Sequence, residues 1–217
     1  MAELEKRGQC AHALDLPGCG ADQTPRREIT LESWRRALVA FVEARNLRNL
    51  VLVGHSLAGL VLAAAAPDLA DRIERLDFVA ALLPEQGQRV LDLLPPERRL
   101  LFQNMVDASS DFSYKTPYKL ARQLFFEELS EEQARSYYQK LTPQPFQIWL
   151  DRLQAEHFCA AQFCRRYIIC RFDRLFSQEM YQAFAARLEV KPLYADCGHD
   201  IMLSHPALLA DLLITAD

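Results

Sequence analysis

No run in these 217 residues approaches the roughly 20 consecutive apolar residues that a membrane-spanning helix requires. The first ten residues, Met1 to Cys10, carry acids and bases where a secretory signal would place an apolar stretch. A basic stripe is missing as well. The net charge is −4 and the Lys and Arg residues are scattered among acids, which argues against a nucleic-acid partner. There is no internal repeat and no low-complexity segment. Six cysteines occur without a Cys-x-x-Cys step, and Cys159, Cys164 and Cys170 have no histidine at regular metal-ligand spacing beside them. The expectation is a cytoplasmic protein with reduced thiols, no metal or organic cofactor and no membrane partner; whether it is a monomer or a homodimer is left open.

Half of the residues are hydrophobic and a quarter charged, which suits one globular domain with a sizeable core and is too little for two ordinary ones. Ala2 to Gly8 reads as the end of a helix with a glycine cap. Cys10 to Leu16 reads as a short apolar strand that ends at the turn Pro17-Gly18. Thr30 is the N-cap of a helix, with Ser33 close behind, and Trp34, Ala37, Leu38, Phe41 and Val42 fall at the spacing of a buried stripe. Asn49 to Val53 is a run of β-formers stopping at Gly54. After Ser56 an Ala- and Leu-rich helix runs from about Ala58 to Ala66 and is closed by Pro67.

Ile73 to Leu82, Tyr167 to Cys170 and Val190 to Ala195 are further strand candidates, and Gln178 to Leu188 and Ala207 to Ile214 are helical. Between Leu83 and Arg152, Pro84, Pro95, Pro96, Pro117, Pro143 and Pro145 break up amphipathic helices that hold most of the aromatic residues. This stretch, 83–152, is read as a helical lid inserted into a single domain, 1–217. Strands alternating with helices predict an α/β fold: a mainly parallel sheet with helices on both faces.

The chemistry concentrates at Gly54-His55-Ser56-Leu57-Ala58-Gly59. A serine at a sharp strand-to-helix corner is held in a strained conformation that lifts its hydroxyl off the sheet, the nucleophile elbow of the α/β-hydrolase fold. Gly54 and Ala58 flank it at two residues' distance, small enough for the helix to pass near the strand. The Leu57 N–H, at the start of that helix, is the expected oxyanion donor. A serine needs a base, and the base needs a carboxylate. His199 follows a strand and the turn Cys197-Gly198; Asp173 follows the strand Tyr167-Ile-Ile-Cys170. The order Ser56, Asp173, His199 is the one expected of α/β-hydrolases. Asp196 and Asp200 compete for the carboxylate role by lying beside His199 in sequence, but a neighbour seldom turns back to hold the imidazole from the side away from the serine. Of the other histidines, His12 is read as a core or pocket-floor residue, His55 as pointing away beneath the turn, and His157 and His205 as surface or packing residues.

These residues resemble the plant methylesterase and hydroxynitrile lyase family of α/β-hydrolases and its bacterial relatives. The resemblance runs through Leu14-Asp-Leu-Pro-Gly-Cys-Gly20, the elbow at Val53 to Gly59, the lid segment Phe125 to Pro145, Tyr167 to Asp173, and Gly198 to Pro206. It implies a triad of Ser56, Asp173 and His199. Family members open with a strand and a His-Gly loop that supplies a second oxyanion donor, and nothing in this sequence matches either. Loss of one such donor costs roughly a hundred- to a thousand-fold in rate. In the family's hydroxynitrile lyases a lysine follows the histidine; Asp200 stands there in this chain, and its charge opposes a departing cyanide.

The resulting expectation is a serine carboxylesterase acting on a small, partly apolar ester, with Phe125, Phe126, Tyr137, Tyr138, Phe146 and Trp149 as candidates for the pocket wall. Two alternatives stand beside it. One is a carbon–carbon lyase of the hydroxynitrile type, the other a ligand-binding paralogue with impaired catalysis.

Overall fold

The computed structural model describes residues 1–215 and the side chains among them, except that of Cys159. The β-former runs build four parallel strands: β1 (Leu50–His55), β2 (Ile73–Val79), β5 (Cys164–Cys170) and β6 (Leu193–Ala195), in the spatial order β1-β2-β5-β6. Two further strands, β3 (Ser113–Tyr114) and β4 (Gln144–Pro145), form a separate antiparallel ribbon. The helices are α1 (Ala2–Glu5), α2 (Leu31–Ala44), α3 (Ala58–Ala65), α4 (Pro96–Asp107), α5 (Tyr118–Leu124), α6 (Glu131–Lys140), α7 (Gln147–Leu150), α8 (Glu156–Ala160), α9 (Gln178–Arg187), α10 (Ile201–Ser204) and α11 (Pro206–Ile214). Among the described residues no helix is long and apolar enough to cross a membrane.

The central strands carry the core. Leu76 and Phe78 of β2 and Tyr167, Ile168 and Ile169 of β5 are fully buried, as expected of parallel strands covered on both faces. One charged cluster is built into that sheet. Asp77 and Arg166 are register partners across β2 and β5. Arg166 donates to both carboxylate oxygens, at 3.0 and 2.7 Å, and Arg75 adds two more hydrogen bonds, at 2.9 and 3.2 Å. Both arginines also donate to the carbonyl of Leu213, one of the last carbonyls of α11, so the end of that helix is tied to the sheet.

Most of the expected elements are present with small shifts of boundary. Thr30 caps α2 by accepting from the Ser33 N–H, and Ser33 returns a bond to the Thr30 N–H. The strand predicted at Tyr167 begins earlier, at Cys164, and the one predicted to stop at Gly54 continues to His55. After α3 the chain tightens into a 3-10 turn, Ala66–Leu69, which accommodates Pro67.

Cys10 to Leu16 is the main correction: it belongs to no strand. A strand exists through its ladder, and this segment is separated from β1 by a groove. The groove holds about 660 Å³ and lies between Gln9–Leu14 and β1, beside Leu38 and Phe41 of α2. Among the described residues β1 pairs only with β2, and its Val51 and Val53 are 37% and 43% exposed. His12 lies on this groove and is exposed, so it is not a core residue.

Candidate active site

Gly54-His55-Ser56-Leu57 bridges the end of β1 and the start of α3. Ser56 has φ of 53°, in the left-handed region that non-glycine residues rarely adopt. Three backbone bonds hold it there: its N–H donates to the Val79 carbonyl at 3.2 Å, and its carbonyl accepts from Gly59 at 3.1 Å and from Leu82 at 2.9 Å. The need for small residues is borne by Gly54 and Gly59 more than by Ala58. A Cβ on Gly59 would come within 2.6 Å of the Leu82 carbonyl, and one on Gly54 within 2.9 Å of the Leu62 side chain. The Leu57 N–H has no acceptor among the described residues.

Asp173 and His199 meet as the chain order suggested. His199 Nδ1 lies 2.6 Å from Asp173 Oδ2, with the two side chains 2% and 1% exposed. Asp173 is satisfied on both oxygens. Oδ1 accepts from the Leu175 N–H at 2.7 Å, and Oδ2 accepts also from the Tyr181 hydroxyl at 2.7 Å. Burial alone would raise the Asp173 carboxyl, but the bond and charge of His199, with the Tyr181 and Leu175 bonds, hold it below the usual carboxylate range. For His199 burial pulls downward, while Asp173, and behind it Asp200 and Glu127, outweigh that and leave it above 6.5. Ser56 and His199 line one cavity of about 420 Å³, although the Ser56 hydroxyl makes no hydrogen bond to the imidazole here. Unliganded sites often hold such pairs loosely.

The rival acids are placed elsewhere. Asp196 is exposed and paired with Arg171 at 2.9 Å. Asp200 lines the cavity, with its carboxylate 3.8 Å from His55 Nε2. His55 does not turn away beneath the elbow: its Nε2 bonds the His199 carbonyl at 2.9 Å and its ring lies 4.5 Å from that of His199. Burial, then the neighbouring His199, push His55 down to about 3, so it is neutral and its contact with Asp200 is not an ion pair. Among the described residues, His55, His199 and Asp200 are also the group whose ligand atoms could approach a metal, all within 4.8 Å of one another. Two of their nitrogens are already engaged, His55 Nε2 by the carbonyl and His199 Nδ1 by Asp173.

Burial pushes Asp200 up to about 6. A carboxyl raised in this way holds its proton longer in the folded chain, so its cost is absent near pH 4 and complete above about pH 6. Asp200→Asn is therefore expected to stabilise the protein by about 1–2 kcal/mol at pH 8, with no gain at pH 4. It should also lower the His199 pKa, since the Asp200 charge helps to raise it. Thermal melts at the two pH values and an NMR titration of the imidazole check both effects.

Residues 83–152 supply one side of the cavity. Phe125, Phe126 and Trp149 line it as expected, joined by Phe102, Tyr114, Lys115 and Gln144, which the sequence did not single out. Phe146 is instead buried in the core, and Tyr138 packs edge-on against Tyr118; neither lines the cavity, nor does Tyr137. The same stretch fixes the histidine loop. Glu128 Oε2 accepts from the Gly198 N–H at 2.6 Å, and a Cβ on Gly198 would lie 2.6 Å from the Glu127 carboxyl. The site has two further groups that no local motif marks, the Tyr181 hydroxyl on Asp173 and the His55 ring on the His199 carbonyl.

The alpha/beta hydrolase family model matches residues 1–212. A carbendazim hydrolyzing esterase of Nocardioides sp. (strain SG-4G) is 37% identical over 67 residues, 31% of this chain and 28% of that protein. The putative chloroplastic methylesterase 14 of Arabidopsis thaliana is 33% identical over 45% of this chain and 28% of its own length. The matched stretch thus spans less than a third of either relative. Methylesterase 7 of Arabidopsis thaliana matches more broadly, 26% identical over 98% of this chain and 87% of its own. Among solved structures, an extracellular alpha/beta-hydrolase from a Paenibacillus species, described as structurally and functionally homologous to tobacco salicylic acid binding protein 2, superposes with a TM-score of 0.91. It is 27% identical and covers 98% of this chain and 89% of that one.

Proposed function

This chain belongs to the alpha/beta hydrolase family, and from that premise we propose that it is a serine carboxylesterase cleaving a small, partly apolar ester through an acyl-enzyme. The observation that carries the reading is the buried 2.6 Å contact between Asp173 and His199 on the cavity that Ser56 also lines. In this mechanism Ser56 Oγ attacks the ester carbonyl as His199 Nε2 takes its proton, and the Leu57 N–H donates to the oxyanion. The imidazolium then hands that proton to the departing alcohol. Water repeats the sequence on the acyl-enzyme and releases the acid. Asp173 fixes the imidazole with Nδ1 protonated and Nε2 free to accept. The segment 83–152 acts as a lid whose Phe125, Phe126 and Trp149 supply the apolar wall. Names such as methylesterase and carbendazim hydrolyzing esterase among the relatives favour hydrolysis. The hydroxynitrile lyase reading is less favoured, because above about pH 6 Asp200 places negative charge where a cyanide leaving group would need the opposite.

A fluorophosphonate probe tests the reading without knowledge of the natural substrate. One equivalent should attach per chain, and peptide mapping should locate it on Ser56. Folded protein that stays unlabelled at millimolar probe would overturn the esterase assignment in favour of a ligand-binding role.

A further inference from the structure

The antiparallel ribbon of the lid sets Tyr114 and Gln144 opposite each other, as register partners of β3 and β4. Both line the cavity that holds Ser56 and His199. Each has donor capacity that the protein leaves unused. Gln144 Nε2 is buried with no hydrogen-bond partner among the described residues. The Tyr114 hydroxyl accepts from Trp149 Nε1 at 3.0 Å, and its own proton has no acceptor among the described residues. Burial raises the Tyr114 phenol, and although the bond from Trp149 works against that shift it remains an O–H donor, one that the bond it accepts makes stronger. Buried donors without acceptors are rare in folded chains, and two on register partners that line one cavity ask for a ligand.

The rest of the wall narrows what that ligand is. Phe102, Phe125 and Trp149 make it aromatic. Asp15 and Asp200 also line the cavity, and their charges disfavour an anion. The Lys115 ammonium sits 4.9 Å over the Tyr138 ring. We infer that Tyr114 and Gln144 form a second recognition point, a paired donor site for a neutral oxygen acceptor (ether, ketone or hydroxyl) on an aromatic part of the ester, separate from the carbonyl that Ser56 attacks. This rests on the esterase reading for its substrate class. The site itself would exist in a binding protein too.

The test compares isosteres. Methyl para-methoxybenzoate and methyl para-ethylbenzoate differ by one oxygen in place of a methylene, and the meta pair probes the second ring position. The ratio of kcat/KM within a pair cancels lid and stability effects. Changing Tyr114→Phe or Gln144→Leu should lower that ratio at least ~10-fold for one pair, mostly through KM, as expected when a buried acceptor oxygen on the substrate loses its donor. Ratios that stay the same in both variants, or equal losses on both members of each pair, overturn the inference. Should the esters not turn over, calorimetric affinities of the same pairs for Ser56→Ala protein give the same comparison. A preference for the oxygen ester there, lost in the variants, keeps the donor site while the carboxylesterase reading falls, and no preference or no binding removes the donor site.

Discussion

Ser56→Ala protein is expected to hydrolyse p-nitrophenyl acetate at about one ten-thousandth of the parent rate or less, because removing a triad nucleophile leaves only the catalysis that binding and oxyanion donors can supply. The fold should survive the change. Ser56 is held through its backbone, by bonds to Val79, Gly59 and Leu82, and its hydroxyl makes no hydrogen bond among the described residues. A circular dichroism melt within a few degrees of the parent would establish that, and only then is the rate meaningful. Turnover within tenfold of the parent would move the chemistry off the elbow altogether.

Asp173→Asn is the second large effect, about ten-thousand-fold in kcat. The Leu175 N–H fixes the oxygen end of the new amide at the Oδ1 position. The amide nitrogen then takes the Oδ2 position, where it faces His199 Nδ1 and the Tyr181 hydroxyl. A donor there forces Nδ1 to be the unprotonated nitrogen, so the proton moves to Nε2 and the imidazole can no longer accept from Ser56. Tyr181 can rotate to accept from the amide, so the packing persists. The parent carboxylate is depressed below its ordinary 3.8. Its contribution to stability is therefore complete at neutral pH and lost as pH falls through that lowered value, and the variant should lose it at pH 7 while becoming less sensitive to acid. A variant that keeps a tenth of parental kcat would show that His199 is oriented by something other than Asp173.

What the sequence revealed of this site depended on how local each signal is. The elbow is a run of consecutive residues in which Gly54, Ser56, Leu57 and Ala58 each have a mechanical reason, and the order Ser56, Asp173, His199 needs only the topology of a parallel sheet. Tyr181 leaves no such mark. It stands one turn into α9, eight residues beyond Asp173, and reads as an ordinary buried helix residue until the two atoms are seen to meet. Tyr114 and Gln144 lie on two-residue strands, too short to show a period of two. Among the lid aromatics, which ones face the cavity is decided by how short helices roll against the core; Phe146 and Trp149 are three residues apart and only one reaches it. Cys10 to Leu16 has the composition of a strand, but strand structure also requires a hydrogen-bonded neighbour, and composition does not supply one.

The open side of β1 bears on how this protein behaves in concentrated solution. Leu50 to His55 contains no formal charge and no proline, and the half of its backbone groups that turns away from β2 is left without a ladder. Such a segment can act as a template on which other extended chains assemble, up to self-propagating fibrils. Arg48 on one flank provides a gatekeeping charge, and the groove wall formed by α2 limits access from one face. Wherever that edge stands open, association of copies of this chain starts from backbone groups, which a net charge of −4 does not shield.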